Sequence, residues 1–422
     1  MKVIAEIFRP EPKILYLEPF FGCNYRCFFC VLGSGHRIET AQLRPLLFEK
    51  LKPVIDIVDH IHLTGLGEPL LNSHLKDYLL YFREKGKSFY INTNGSLIDE
   101  ALIDILLTSR NELSVSLDAG DEETYGKMRH GGNWNRVLSL LKQMSQRKAA
   151  RRSPYPLLYL SFHVNDMNMI SLLKIPDLAR EIEIEAVKFS WTRLPDRYRN
   201  YSIFKSRDLV KDLLRTIGAQ LLREGIHVKN EAILGKHVRS CWTFSPMAFV
   251  GASGAVAACC SQWIPIGHLN ENRFEDIWNG LPRRKIGLAI LNQRPEGLCR
   301  QCPQILGVDY EQNEEDFFKS RDLDMKILAE KAKPIGKLPS LAGLRDTFRS
   351  GVSALLGGDP AAAVSIFTAL DTRFPDFFEI KNNLAACHFT LGNIHACRDL
   401  LQAIKTIPHN EKLNQSNLEF LR

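Results

Sequence analysis

The chain reads as an α/β protein: a partial, open (βα)6 TIM-type barrel, then a small β-rich cysteine domain, then an α-helical repeat. Three observations predict this. Between residues 14 and about 225, short β-branched or aromatic runs alternate with amphipathic stretches, the pattern of parallel βαβ units. From about 230 to 308, Gly, Cys and Trp become frequent and the pattern breaks into short strand–turn pieces. The last eighty residues match themselves when shifted by 34, which signals a repeat architecture.

The expected strands are Ile14–Glu18, His60–Thr64, Ser88–Thr93, Leu113–Leu117, Leu157–His163 and Ala186–Ser190. Helices are expected at roughly 40–57, 72–85, 99–108, 133–149, 171–183 and 206–224. Six units are too few to close an eight-stranded barrel, and chemistry in such folds sits at the C-terminal strand ends. The expected divisions are 1–228 for the barrel, 229–310 for the cysteine domain, 311–342 for a charged linker and 343–422 for the repeats. The linker carries Glu314-Glu315-Asp316 and ends in the breaker-rich run Pro334 to Pro339. In the repeat, the shift places Gly358 on Gly392, Ala362 on Ala396, Phe367 on Leu401 and Ala354 on His388; a second shift carries Asn383-Leu384 onto Asn417-Leu418.

Bulk properties narrow the function. At 422 residues the chain can bury two or three ordinary cores. Hydrophobic content of 45% and charged content of 24% are those of a soluble globular protein. A net charge of +7 without a dense basic block does not indicate nucleic-acid binding. No apolar run reaches membrane length and no signal segment precedes Cys23, so the expected location is cytoplasmic, with no membrane partner. In that compartment ten cysteines at metal-ligand spacings read as metal sites rather than disulfides.

Cys23, Cys27 and Cys30 follow the first expected strand at C-x3-C-x2-C spacing. Three thiolates on one short loop can hold three irons of a cubane and leave the fourth iron open to an outside ligand. Structural zinc is the alternative, but it wants four ligands, and His36 is the only nearby candidate for the fourth. The triplet, with aromatic Phe29 just before its last cysteine, resembles the radical SAM superfamily. The resemblance implies a [4Fe–4S] cluster held by those three cysteines, with S-adenosylmethionine on its open iron. Phe28 and Phe29 would shield the cluster from water.

The same resemblance assigns cofactor contacts to later strand ends. Thr64-Gly65-Leu66-Gly67-Glu68-Pro69-Leu70 stands where the family has a Gly-Gly-Glu-Pro segment; Leu66 replaces the first glycine, while Gly67, Glu68 and Pro69 remain. Glycine lets the chain pass close to a ligand, and Glu68 would accept from the methionine ammonium. Asn94, in Thr93-Asn94-Gly95, and Ser116 and Asp118 resemble the family's further SAM-site segments, the last two near the ribose. Read without the family, the tripeptide is an ordinary turn, and Ser116 and Asp118 end a strand and cap the next helix. His163 and Asn168 are nucleoside neighbours by position, though a strand-end His is also a structural residue.

Cys241 is followed by Gly254 and Cys259, and Cys299-Arg300-Gln301-Cys302 closes the set. This spacing resembles the SPASM auxiliary iron–sulfur domain of radical SAM enzymes, in its short "twitch" form. It implies a second, auxiliary [4Fe–4S] cluster held by Cys241, Cys259, Cys299 and Cys302, with Gly254 allowing the hairpin between the first two. Four thiolates also suit tetrahedral zinc. Cys260 reads as a spare thiol, and Cys387 and Cys397 as small core residues on helices. The 34-residue period resembles the tetratricopeptide repeat, with Pro375 in its proline place and Pro408 one residue early. A plain helical cap is the alternative.

Together these resemblances imply a radical SAM oxidoreductase-type enzyme. It would cleave S-adenosylmethionine reductively and abstract a hydrogen atom from an organic substrate, oxidising or rearranging a small polar, carbohydrate- or nucleotide-like metabolite. Epimerisation stays open. One alternative is a peptide or protein maturase whose repeats hold substrate or carrier; another is a non-catalytic iron–sulfur scaffold. A one-electron donor such as flavodoxin or ferredoxin is implied. No general acid or base stands out, and Arg193, Asp196 and Tyr198 after the sixth strand are at most loop residues facing substrate.

Overall fold

The structure, a computed structural model, describes residues 11–33, 39–192, 194, 196–231, 241, 246–259, 263–291, 294–302, 344–373 and 378–406. It divides into two units, Met1–Trp278 with Gly297–Gly336, and Asn279–Glu296 with Lys337–Arg422. The first unit contains strands β1 (Ile14–Leu17), β2 (Phe20–Phe21), β3 (Ala41–Gln42), β4 (His60–Leu63), β5 (Ser88–Thr93), β6 (Asn111–Ser116), β7 (Leu157–Val164), β8 (Ala186–Trp191), β9 (His227–Glu231), β10 (Met247–Val250), β11 (Ala255–Ala257) and β12 (Pro265–His268). Its helices are α1 (Pro45–Ile57), α2 (Leu75–Glu84), α3 (Glu100–Leu107), α4 (Glu122–Met128), α5 (Trp134–Ala150), α6 (Ile175–Ile182), α7 (Arg207–Arg223) and α8 (Phe274–Trp278).

All strands but β2 and β3 join one sheet, ordered β12-β11-β10-β1-β4-β5-β6-β7-β8-β9. From β10 through β1 to β9 every pairing is parallel. The result is a mixed α/β fold on a large parallel sheet that stays open at both edges. The six expected strands each lie within two residues of their expected bounds. Leu15, Leu17, Ile61, Leu63, Leu113 and Val115 are all fully buried. They alternate with Tyr16, His62 and Ser114 along strands that carry opposite faces at successive residues. Helices α3, α4 and α5 begin at Asp99, Asp121 and Asn133, whose side chains accept from Leu102, Thr124 and Arg136 N–H, the usual N-cap chemistry. The expected helix at 171–183 is a 3-10 turn over Ser171–Lys174 that continues into α6.

The sheet recruits two parallel strands that the sequence does not announce. Strand β9 is polar and lacks an apolar alternation, yet it completes the ladder of β8 from Ala186↔His227 to Ser190↔Glu231. Strand β10 is buried at every position and pairs with β1 from Ile14↔Met247 to Leu17↔Val250. The β-rich cysteine stretch expected as a small domain after the barrel therefore continues the barrel's own sheet. Burial on both faces explains the unbroken apolar run of β10.

The second unit holds α9 (Leu281–Leu291), α10 (Leu344–Leu356), α11 (Pro360–Arg373), α12 (Phe378–Thr390) and α13 (Ile394–Thr406). From α10 to α13 each helix packs on the next. Leu344 to Phe378 and Pro360 to Ile394 are both steps of 34 residues. Gly358 and Gly392 follow the first helix of each pair at φ +83° and +76°, where a residue without Cβ is favoured. Ala363, Phe367, Leu370, Ile380, Leu384 and Cys387 form the core of the stack, and Cys397 is buried as well. His36, Arg193, Cys260, the 311–342 linker, Pro375, Pro408 and Asn417-Leu418 lie outside the described residues.

Candidate active site

The chain leaves β1, passes through the short ribbon of β2 with β3, and turns at Gly22 (φ +135°) into the cysteine loop. Backbone bonds shape that loop. Cys30 N–H donates to Cys27 O at 3.1 Å and Gly33 N–H to Cys30 O at 3.0 Å. A Cβ on Gly33 would stand 2.1 Å from Cys27 O, so only glycine fits that close approach. The loop is tied outward by Arg26 N–H donating to His130 O at 2.9 Å, beyond the end of α4. Phe28 is buried among Met128 and Leu194, and Tyr198 meets it edge-on at 5.2 Å between ring centres. Phe29 lies 5.3 Å from the ring of His163.

Cys30 lies close enough to raise the thiolate cost at Cys23, and Cys30 and Cys23 both raise it at Cys27. Burial pushes Cys23 up and takes Cys27 up to about 12, with Arg129 opposing the rise at Cys27. Thiols so placed ionise when a metal takes the proton's place. Among the described residues no three His, Cys, Asp or Glu side chains close on the spacing of one metal ion; a cubane spreads its thiolates over separate irons. Among the described residues the donor set is these three thiols, and it fits a [4Fe–4S] cluster with one iron left open.

The Gly67 segment lies directly against this loop. A Cβ on Gly67 would fall 1.9 Å from Phe20 O and 2.7 Å from Gly22 O, and Glu68 N–H donates to Gly22 O at 2.8 Å. Leu66 N–H donates to Glu18 Oε1 at 2.7 Å, a contact the sequence does not suggest. Glu68 is 2% exposed. Its Oε1 accepts from Thr93 Oγ1 at 2.6 Å and from Leu70 N–H at 3.1 Å; its Oε2 accepts from Asn94 N–H at 2.7 Å. Burial pushes the Glu68 carboxyl up, against the pull of those donors. The side chain expected to meet the methionine ammonium thus also binds the end of β5 to the segment after β4. Pro69 is buried and opens a 3-10 turn capped by Glu68. Asn94 Nδ2 donates to Asn24 Oδ1 at 2.8 Å and points at Cys23 Sγ, 3.8 Å away.

Ser116 is nearly buried, with its hydroxyl 3.4 Å from Asn92 Oδ1. Asp118 is wholly buried in a left-handed conformation, φ 60°, which costs a non-glycine residue strain unless its surroundings hold it. Those surroundings are dense. Arg129 Nε donates to Asp118 Oδ2 at 2.8 Å, His163 N–H donates to Oδ1 at 2.6 Å, and Asn168 Nδ2 donates to the Asp118 carbonyl at 2.8 Å. Burial pushes the Asp118 carboxyl up, but Arg129 and His163 outweigh it and hold it below the usual range. Arg129 is the residue that sequence reasoning missed. It sits one position past α4, and nothing local marks it as the partner of a strand end eleven residues earlier.

The later cysteines also gather. Burial takes Cys299 up to about 12, and Cys259, Cys241 and Cys302 each add to the rise by their nearby charge. Cys302 N–H donates to Cys299 O at 3.2 Å, folding the C-x2-C pair into one turn. Gly254 takes φ +95° in the turn between β10 and β11, and the hairpin it permits carries the chain to Cys259. Four thiols brought together in this way suit an iron–sulfur cluster at this second place.

Residues 17–152 match the radical SAM superfamily, and residues 241–303 match the iron–sulfur cluster-binding SPASM domain. An AdoMet-dependent heme synthase of Methanosarcina barkeri is 24% identical over 326 residues, 69% of this chain and 87% of that protein. A GTP 3',8-cyclase of Hydrogenovibrio crunogenus is 27% identical over 124 residues, 28% of this chain and 37% of the cyclase. In fold, the chain resembles Streptococcus suis SuiB bound to S-adenosylmethionine, with a TM-score of 0.54 at 15% identity, covering 75% of this chain and 79% of SuiB. It likewise resembles native anSMEcpe with bound AdoMet, with a TM-score of 0.53 at 16% identity over 76% of this chain and 100% of that one. Among the described residues no helix is long and apolar enough to cross a membrane. The chain therefore carries a radical SAM domain, which uses S-adenosylmethionine with a [4Fe–4S] cluster, followed by an auxiliary iron–sulfur domain of the SPASM kind.

Proposed function

We propose that the chain reductively cleaves S-adenosylmethionine and abstracts a hydrogen atom from a small polar metabolite. One observation carries this reading: three thiols, with no fourth donor among the described residues, on the loop after β1, with the Gly67–Glu68 segment laid against them. Cys23, Cys27 and Cys30 would hold the cluster, which would supply the electron, and the bound cofactor would supply the hydrogen-abstracting radical. The chain's own residues do the rest. Phe28 and Phe29 cover the cluster loop from water, and Gly67 brings bare backbone to the cofactor. The polar side chains of Asn92, Ser114, Ser116 and Ser161 sit at neighbouring positions of paired strands, a surface suited to orienting hydroxyls. Two similar proteins are named for the synthesis of heme and the cyclisation of GTP, both small molecules. Cys241, Cys259, Cys299 and Cys302 would hold one auxiliary cluster, which would take the substrate's electron in a net oxidation.

The test is anaerobic. Reconstituted, reduced protein should release 5′-deoxyadenosine and methionine from S-adenosylmethionine, and Cys23→Ala, Cys27→Ala or Cys30→Ala should abolish it. No cleavage by the parent would reduce the chain to a scaffold, and persistent cleavage in the variants would take the cluster away from these three thiols.

A second reading, maturation of a peptide or protein, is favoured by the helix pairs that repeat at 34 residues in tetratricopeptide fashion. Such repeats would hold the substrate or its carrier. Turnover of a small metabolite by a chain ending before residue 343 would dispose of it.

A further inference from the structure

We infer that Arg129, anchored by Asp118, sets the reduction potential of the S-adenosylmethionine-binding cluster through Cys27. Arg129 Nη1 points at Cys27 Sγ from 3.8 Å. Its other edge is fixed, with Nε at 2.8 Å and Nη2 at 2.5 Å from Asp118 Oδ2. The guanidinium is 7% and the carboxylate 0% exposed, so their field is little screened by water. The pair presents its positive end to the sulfur and its negative end to His163 of β7.

The geometry leaves Arg129 no freedom to swing away. Asp118 is gripped by His163 N–H at 2.6 Å and by His163 Nδ1 at 3.1 Å. The His163 ring lies 5.3 Å from the Phe29 ring, and the guanidinium carbon of Arg129 stands 5.8 Å from the centre of that same Phe29 ring. Phe29 precedes ligand Cys30, so the circuit closes on the cysteine loop. A structural salt bridge needs no such aim at a sulfur.

Reduction adds one electron to an assembly already negative from its thiolates. A buried cation and an N–H donor at a ligand sulfur stabilise the reduced form more than the oxidised form, and such donors are established levers on cluster potential. Arg129 therefore makes the cluster easier to reduce. Asp118 restrains that effect while holding the guanidinium in place. The two side chains act on the potential with opposite sign.

The experiment is an EPR-monitored redox titration of the full chain, reconstituted and free of S-adenosylmethionine. Cys299→Ala is introduced throughout to remove the auxiliary signal. Asp118→Asn should shift the midpoint upward. Arg129→Gln should shift it downward by about tenfold in the reduction equilibrium, which is 59 mV for a one-electron couple. Because Arg129→Gln leaves a buried carboxylate unpaired, the Asp118→Asn/Arg129→Gln pair is measured beside it, and its midpoint should also fall below the parent's. Arg129→Lys should stay nearer the parent. Unchanged midpoints, or shifts of one sign for Asp118→Asn and Arg129→Gln, would overturn the assignment. So would failure of every variant to fold, or loss of iron from folded variants, since both are the marks of a purely structural pair. An arginine serving only to hold the cofactor would leave these cofactor-free midpoints unmoved. The titration involves no turnover, so its outcome is independent of the reaction proposed above.

Discussion

Asn94 and Glu68 are joined by a 2.7 Å hydrogen bond from the Asn94 backbone N–H to Glu68 Oε2, across 26 residues of sequence. That bond ties the end of β5 to the segment after β4. Asn94 in turn points its amide at Cys23, so a buried carboxylate sets the position of a donor beside the cysteine loop.

Replacing Glu68 with Gln puts an amide N–H where Thr93, Leu70 or Asn94 now donates. At least one buried donor loses its acceptor, which costs about 1–3 kcal/mol. The urea midpoint should fall accordingly, and 5′-deoxyadenosine formation should drop with it. An unchanged midpoint would show that the three bonds are dispensable.

Gly67→Ala should be worse than its size suggests. The added methyl would lie 1.9 Å from Phe20 O, which is backbone and cannot rotate away. Overpacking of this kind costs roughly 1–3 kcal/mol, and here it also lifts the segment off the cysteine loop. Cofactor cleavage should be lost while circular dichroism stays close to the parent's.

Asp121 caps α4, accepting from Thr124 N–H at 2.9 Å and from Lys174 Nζ at 3.0 Å. Burial pushes its carboxyl up, but those two partners outweigh it and hold the group below 3.8. A lowered value in the fold means the contribution is complete above pH 3.8 and fades as pH falls through the folded value. Asp121→Ala should cost about 1 kcal/mol at neutral pH and flatten the acid limb of the stability profile. The same loss at every pH would refute the titration.

Phe367 is fully buried in the helical stack and meets Phe348 edge-on at 5.4 Å. Phe367→Ala should cost about 3–5 kcal/mol of that unit's stability. Iron content should stay at the parent's level, because the ring belongs to the second unit's core. Loss of iron would show that the helices support the cysteine sites.

What was legible in the chain was local. Strands such as Ser88–Thr93 and Leu157–Val164 show themselves through β-branched and aromatic runs, and the cysteine triplet and the later four cysteines show themselves through spacing. The 34-residue step shows itself because Gly358 and Gly392 serve equivalent turns. What was hidden depended on partners far along the chain. Strand β9 has no apolar alternation of its own and exists through the ladder of β8. Nothing around Glu18 or Arg129 indicates a role either.

The amino-acid order alone fixed the α/β class, the positions of six strands and the identity of the sulfur ligands on offer, because each rests on a handful of consecutive side chains. Tertiary structure alone decided that β10 lies beside β1, that Glu68 is spoken for by three donors, and that Arg129 reaches Cys27 across 102 residues. Those outcomes come from burial. Once water is excluded, every charge and N–H must find a partner, and the fold, not the neighbouring sequence, supplies it.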